Sequence, residues 1–190
     1  MKLMDIVDIS SGQPQFRIKE ETGEGVPIYS VYSQSTLEQD LCQSDQLGIA
    51  KQIRTFDVID TLVNKGDILF SLISGETVRV GELHHGFFYT QNYVKLVPKY
   101  PIDSQYLVYL LNETLCIRKQ LKIGLQGSEV MKYTLQQLKA LLLPKLPTLS
   151  QQSLIGDIYF KQQKLCYLKH RCADTEQLVR LEQLRKLDVL

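Results

Sequence analysis

The stretch "LLLPKLPTLSQQSLIGDIYFKQQ", residues 141–163, joins an apolar run cut by Pro144 and Pro147 to a glutamine-rich amphipathic segment. Proline lacks a backbone donor and pushes the residue before it towards extended geometry, so a helix ahead of Pro144 cannot run into the next one. Ser150 can cap a new helix, because its side-chain oxygen can accept from an otherwise unpaired N–H in the first turn. From Ser150 to about Asp188 no proline occurs and the only glycine is Gly156. A continuous helix of roughly 39 residues, about 58 Å long, is therefore predicted. Ile158, Leu165, Cys172 and Val179 recur every seven residues, with Leu154, Leu168 and Thr175 at the complementary positions and Lys161 interrupting the stripe. Such a stripe suits a partner or a second copy, or else the chain's own core. Beyond Val179, Leu178, Leu181, Leu184 and Leu187 drift at three-residue spacing. The seam there either rotates or the helix folds into a hairpin near "HRCADTE", residues 170–176.

Upstream of the prolines, Thr134 and Gln137 have the spacing of a capping box and predict a short helix. Asp103 or Ser104 can cap another, in which Leu107, Leu110, Leu111 and Leu115 recur at helical spacing. The segment "KIGLQGSEVMKY", residues 122–133, reads as a loop between them. Up to about Tyr100 the chain favours short strands, as in "VPIYSVYS", "GDILFSLISG" and "FFYTQNYVKLVP", with Lys65-Gly66-Asp67 as a turn and Gly75 as a stop. The fold class predicted is α+β: a β-rich N-terminal domain with short helices over residues 1–148, then a long helix or helical hairpin of coiled-coil type over 149–190.

A chain of 190 residues with 44% hydrophobic residues can bury a core, which suits one globular domain with an appendage. The net charge of +1 neither demands nor excludes an acidic partner. Cys42, Cys116, Cys166 and Cys172 form no C-x-x-C pair, and "MKLMDIVDISSG" lacks the pattern of a signal peptide. The longest apolar stretch, "ALLLPKLP", is far short of the roughly 20 residues a membrane span needs. A soluble, cytoplasmic, reduced protein without membrane contact is expected.

Motifs for catalysis are missing. No acidic residue stands two before a lysine, as a restriction-type nuclease site would place one. No Asn-Pro or Asp-Pro tetrapeptide of a base methyltransferase appears. Phosphate-cradling glycine loops and G-x-S-x-G are absent too. His84 and His85 adjoin each other in "GELHHGFFY", where a zinc site would need further ligands and a solvent-facing turn is the simpler reading. A hydrolase built on these two histidines and Glu82 is the one enzymatic alternative. No catalytic and no metal-binding residue is assigned.

Side chains suited to reading base edges do gather in the β-rich half: Arg17, Lys19, Tyr32, Gln34, Lys51, Gln52, Arg54, Arg79, Gln91 and Asn92 lie in or beside predicted loops. Arginine, glutamine and asparagine make bidentate contacts to guanine or adenine. In "GLQGS", residues 124–128, Gln126 and Ser128 sit where backbone N–H groups can approach a phosphate, or in a plain turn between helices.

Four stretches together resemble one recognition domain, with its long C-terminal helix, of the specificity subunit of type I restriction-modification systems. "KLMDIVDISSGQ" (2–13) looks like the family's opening, "NKGDILFSLISG" (64–75) like its Gly-Asp-Ile-Leu strand, and "FYTQNYVKLVPK" (88–99) like its next strand. Most specific is "YTLQQLKALLLPKLPTLSQQSLIGDI" (133–158), where Pro144, Pro147, Gln152 and Ile155 match the family's order before its long helix. The resemblance implies a non-catalytic subunit that binds double-stranded DNA and directs a methyltransferase (M) subunit, and a restriction (R) subunit, to a split target. S-adenosylmethionine, ATP and Mg are then expected on the partner subunits and no cofactor on this chain. A usual member carries two recognition domains and two antiparallel helices, whereas here there is one of each. A half-size form is expected, working as a homodimer or beside a second half-subunit through Leu154, Ile158, Leu165, Leu168, Cys172 and Val179. At about 58 Å the helix exceeds one DNA turn of roughly 34–36 Å, which suits a spacer. The alternative is a silent cassette or interaction module that docks partners through the helix and binds no DNA.

Overall fold

The computed structural model describes residues 1–125 and 132–187, without the side chain of Leu125. In chain order the elements are α1 (Leu3–Ile6), β1 (Val7–Ser11), β2 (Ile28–Ser30), α2 (Gln34–Leu41), β3 (Gln52–Arg54), β4 (Ile68–Ser71), β5 (Thr77–Arg79), β6 (Tyr93–Pro98), α3 (Ser104–Glu113), α4 (Leu115–Leu125), α5 (Leu135–Ala140) and α6 (Leu149–Leu187). Short 3-10 turns occupy Gln15–Arg17 and Glu82–His84.

The Gly-Asp-Ile-Leu segment builds the centre of the molecule. Gly66 adopts φ +87°, which a side chain would strain, and Asp67 accepts from the Asn64 N–H at 2.8 Å, so the chain turns and launches β4. β4 lies between β6 and β5 in an antiparallel sheet of order β1-β6-β4-β5. Side chains alternate faces along a strand, and both faces of β4 are covered. Ile68 and Phe70, with Val94 and Leu96 of β6, face a core closed by Leu107, Leu110 and Leu111 of α3, Leu121 of α4 and Leu138 of α5. Leu69, with Val78 and Tyr93, faces a second cluster holding Tyr32, Leu37, Val63 and Phe87. Burying a residue such as Leu69 contributes roughly 1.5–3 kcal/mol, which is why this run is apolar without alternation.

β2 and β3 pair separately as a two-stranded ribbon, with Ile28 opposite Arg54, Tyr29 opposite Ile53 and Ser30 opposite Gln52. Ile53 points into a third cluster of Ile18, Val31, Ile59 and Phe88. The strand expected through Ser33 ends at Ser30, and Gln34 opens helix α2, because Ser33 accepts from the Thr36 N–H at 3.3 Å and caps it. Asp103 caps α3, accepting from the Tyr106 N–H at 2.8 Å. Leu115 does not join that helix's buried stripe: α3 stops at Glu113, and Leu115 opens α4 with its side chain exposed. The expected loop therefore begins later than Lys122, and the capping box of Thr134 and Gln137 is formed, at 3.2 and 2.8 Å.

α6 is one unbroken helix of 39 residues, about 58 Å long, with no hairpin near His170. Its cap is not Ser150. Thr148 and Gln151 bond reciprocally, the Gln151 N–H to Thr148 Oγ1 at 3.4 Å and the Thr148 N–H to Gln151 Oε1 at 3.1 Å. Pro147 fixes the chain just ahead of Thr148, so the helix begins earlier than expected. Thr148→Ala is accordingly expected to lower stability by about 1 kcal/mol, read as a lower urea midpoint at unchanged slope, whereas Ser150→Ala stays within about 0.5 kcal/mol of the parent. Gln152, Gly156 and Tyr159 form the buried side of α6 against α3. A Cβ at Gly156 would stand 2.7 Å from the Tyr106 nitrogen, so the absence of a side chain is what lets the two helices touch.

Candidate nucleic-acid interface

The surface around β3 collects five of the sequence-selected residues. Gln52 and Arg54 flank buried Ile53 and so share the exposed face of the ribbon. The segment after β1 runs beside it, since the Glu21 N–H donates to the Arg54 carbonyl at 2.9 Å and Lys51 faces Glu20 at 3.8 Å. In that segment Arg17 and Lys19 are exposed, Arg17 lying over the Phe16 ring at 5.8 Å, and the Lys19 N–H bonding to Asp57 at 2.8 Å.

Glu20 also helps line a concavity of about 560 Å³ with Gln15, Phe16, Ile18, Thr90, Gln91, Asn92 and Lys132. Gln91 and Asn92 form the turn that precedes β6, beside the end of β1, where the Gln91 N–H bonds to the Gln13 carbonyl at 3.2 Å. The result is a polar hollow walled by three amides, a lysine and a phenyl ring that is 77% exposed. Gln15, Phe16 and Lys132 were not legible from the sequence, because nothing local marks which loops will meet. Gln126 and Ser128 lie outside the described residues.

Three candidates are placed elsewhere. Tyr32 is 1% exposed, so the expectation that it reads bases is corrected. Its hydroxyl donates to Asp40 at 2.6 Å, and burial together with that carboxylate pushes its phenol well above the usual tyrosine range, keeping it a donor. Gln34 sits in the first turn of α2, where its side-chain oxygen accepts from Ser71 at 3.4 Å. Arg79 stands at the far end of the sheet from Gln91, opposite Ile68, beside a cavity of about 370 Å³ that Phe160 of α6 also lines.

His84 is likewise not a solvent-facing turn residue. It is buried, with Nδ1 donating to Asp40 at 2.7 Å and Nε2 lying 3.0 Å from Gln39 Oε1, while Glu82 faces Lys65 at 2.5 Å and His85 is exposed. His84 thus holds α2 to the 3-10 turn, and Glu82 pairs with Lys65 rather than with a histidine. Among the described residues no group of three or more histidine, cysteine or acidic side chains is placed to hold a metal ion. No described helix is long and apolar enough to cross a membrane.

The loop after α2 fastens α6 over three turns. Gln43 donates to the Phe160 carbonyl at 2.6 Å, and Lys164 donates to the Gln43 carbonyl at 2.8 Å. Asp45 takes Tyr167 at 3.1 Å and Arg171 at 2.5 Å, and the Arg171 hydrogen bond holds the Asp45 carboxyl below its ordinary range. Beyond Arg171 every described residue of α6 is exposed. The seam of Leu154, Ile158, Leu165, Leu168, Cys172 and Val179 faces away from the core along its whole length, with Leu154 at 60% and Ile158 at 58% exposure.

No protein-family model matches the chain, and no curated protein is similar to it. Solved structures are. The HsdS subunit of Thermoanaerobacter tengcongensis superposes with a TM-score of 0.57 at 23% identity, over 96% of this chain and 42% of that one. The type I restriction-modification S subunit of M. genitalium gives 0.53 at 17% identity, again over 96% and 42%. A chain from a structure on complex assembly and conformational transition of the type I R-M system gives 0.59 at 23%, over 96% and 43%. The chain thus has the fold of a type I specificity-subunit domain with its helix, α+β with a long C-terminal helix, and spans less than half the length of the structures it matches.

Proposed function

We propose that this chain is a DNA-recognition subunit of a type I restriction-modification system, itself non-catalytic, which addresses a methyltransferase subunit to one half of a split duplex target. The observation that carries this reading is the match of nearly the whole chain, recognition domain and helix together, to solved specificity subunits. The exposed amides and cations around the ribbon and the hollow supply donors of the kinds that read bases and hold phosphates. S-adenosylmethionine, ATP and Mg belong on this reading to partner subunits, and the seam of α6 pairs two copies of the chain or docks it to those subunits.

The test is selection of duplexes from a randomised pool by the full chain, alone and with the methyltransferase subunit. A defined split motif is expected, with affinity falling steeply as salt rises, by a log–log slope of about −0.9 for each phosphate neutralised. Recovery of no motif in either form would leave an interaction module that docks partners without reading DNA.

A further inference from the structure

We infer that the exposed face of the β2–β3 ribbon enters a groove of the duplex and that Arg54 and Gln52 are its base-reading side chains, an assignment that rests on the recognition reading above. Side chains directly opposite in an antiparallel pair share a face. The register therefore puts Ile28, Arg54, Ser30 and Gln52 together on one side of the ribbon, and Tyr29 and Ile53 on the other. The second side is committed to the core, where Ile53 is 1% exposed. The first is turned outward, with Ile28, Gln52 and Arg54 all exposed.

The chemistry of that face is what a base edge requires. Arginine matches guanine O6 and N7, glutamine matches adenine N6 and N7, serine bonds to either, and an aliphatic side chain packs on the thymine methyl. A two-stranded ribbon is also one of the few elements that a major groove roughly 12 Å wide admits. Among the described residues neither the Arg54 guanidinium nor the Gln52 amide has a hydrogen-bond or ion-pair partner, whereas neighbouring Lys51 faces Glu20. Of the acids beside the ribbon, Glu20 is thus opposed by a lysine and Asp57 accepts from the Lys19 N–H. Glu21, held to Arg54 through its backbone, is itself a residue type that accepts from cytosine N4. Phe56, exposed just past the end of β3, adds an apolar side chain of the kind that packs on a thymine methyl.

Arg54→Ala and Gln52→Ala, each in the full chain with the methyltransferase subunit, test the assignment by the same randomised-duplex selection. Both positions are exposed, so unchanged thermal unfolding is the control for folding. Each variant is expected to lose about tenfold in discrimination at one base position, keeping the rest of the motif and the parent's salt dependence. If both select the parent motif undiminished, the ribbon does not read bases and the inference is wrong while the recognition reading stands. A uniform loss of affinity with a shallower salt slope would make Arg54 a phosphate contact and overturn the inference equally. A parent chain that selects no motif would sink both.

Discussion

Asp40→Ala is expected to lower the free energy of unfolding by about 3–5 kcal/mol. The carboxylate sits at the centre of a buried knot. Its two oxygens take the Tyr32 hydroxyl at 2.6 Å, His84 Nδ1 at 2.7 Å and the Gly81 N–H at 2.9 Å. Alanine leaves all three donors buried without an acceptor, and each such orphan costs about 1–3 kcal/mol. Because α2 carries both Asp40 and the loop that fastens α6, the damage should spread to the helix. Urea unfolding followed by circular dichroism reads the loss, and an unfolding free energy within about 0.5 kcal/mol of the parent would show that water enters and satisfies the three donors. Tyr32→Phe separates the parts, since it removes one donor and leaves the other two served, and should cost about 1 kcal/mol.

That knot marks the limit of what the sequence discloses. Local signals were readable where one short segment settles its own geometry: the turn at Gly66 and Asp67, the capping box at Thr134 and Gln137, the proline stop and the long helix beyond it. The short apolar run in "GDILF" pointed to β4 for the same reason. His84 misled because two adjacent histidines in a glycine-bounded stretch look like a solvent-facing turn, and the residues that bury one of them, Asp40 and Gln39 of α2, are distant in sequence. Tyr32 misled likewise, its hydroxyl suggesting a surface that Asp40 satisfies internally. Among the candidate readers, residue type alone could not separate Arg54 and Gln52, which share an outward face, from Arg79, which the sheet carries to its opposite end. The fastening of Asp45 to Arg171 has no local signature either, although it directs everything beyond it.

Leu165→Asp combined with Leu168→Asp is expected to halve the mass of the full-length chain in solution measured by light scattering, from a dimer to a monomer. The helix gives the reason. Past Arg171 it leaves the domain with every described side chain exposed, and an isolated segment of that length is marginal in water, because helices in proteins owe most of their stability to packing of an apolar face. On the homodimer reading proposed above, a second copy would supply that face by two-fold symmetry, each seam covering the other. Leu165 and Leu168 are 44% and 41% exposed, so pairing would bury the part of each that the domain leaves open, at roughly 25 cal/mol per Å², and the double substitution puts two carboxylates per copy into that seam. A chain truncated after Leu149 should behave as the substituted one does. If the unsubstituted chain is already a monomer, self-pairing fails, and the seam belongs to a second half-subunit or to the methyltransferase. Adding that subunit then restores a larger mass to the parent and not to the Leu165→Asp, Leu168→Asp variant.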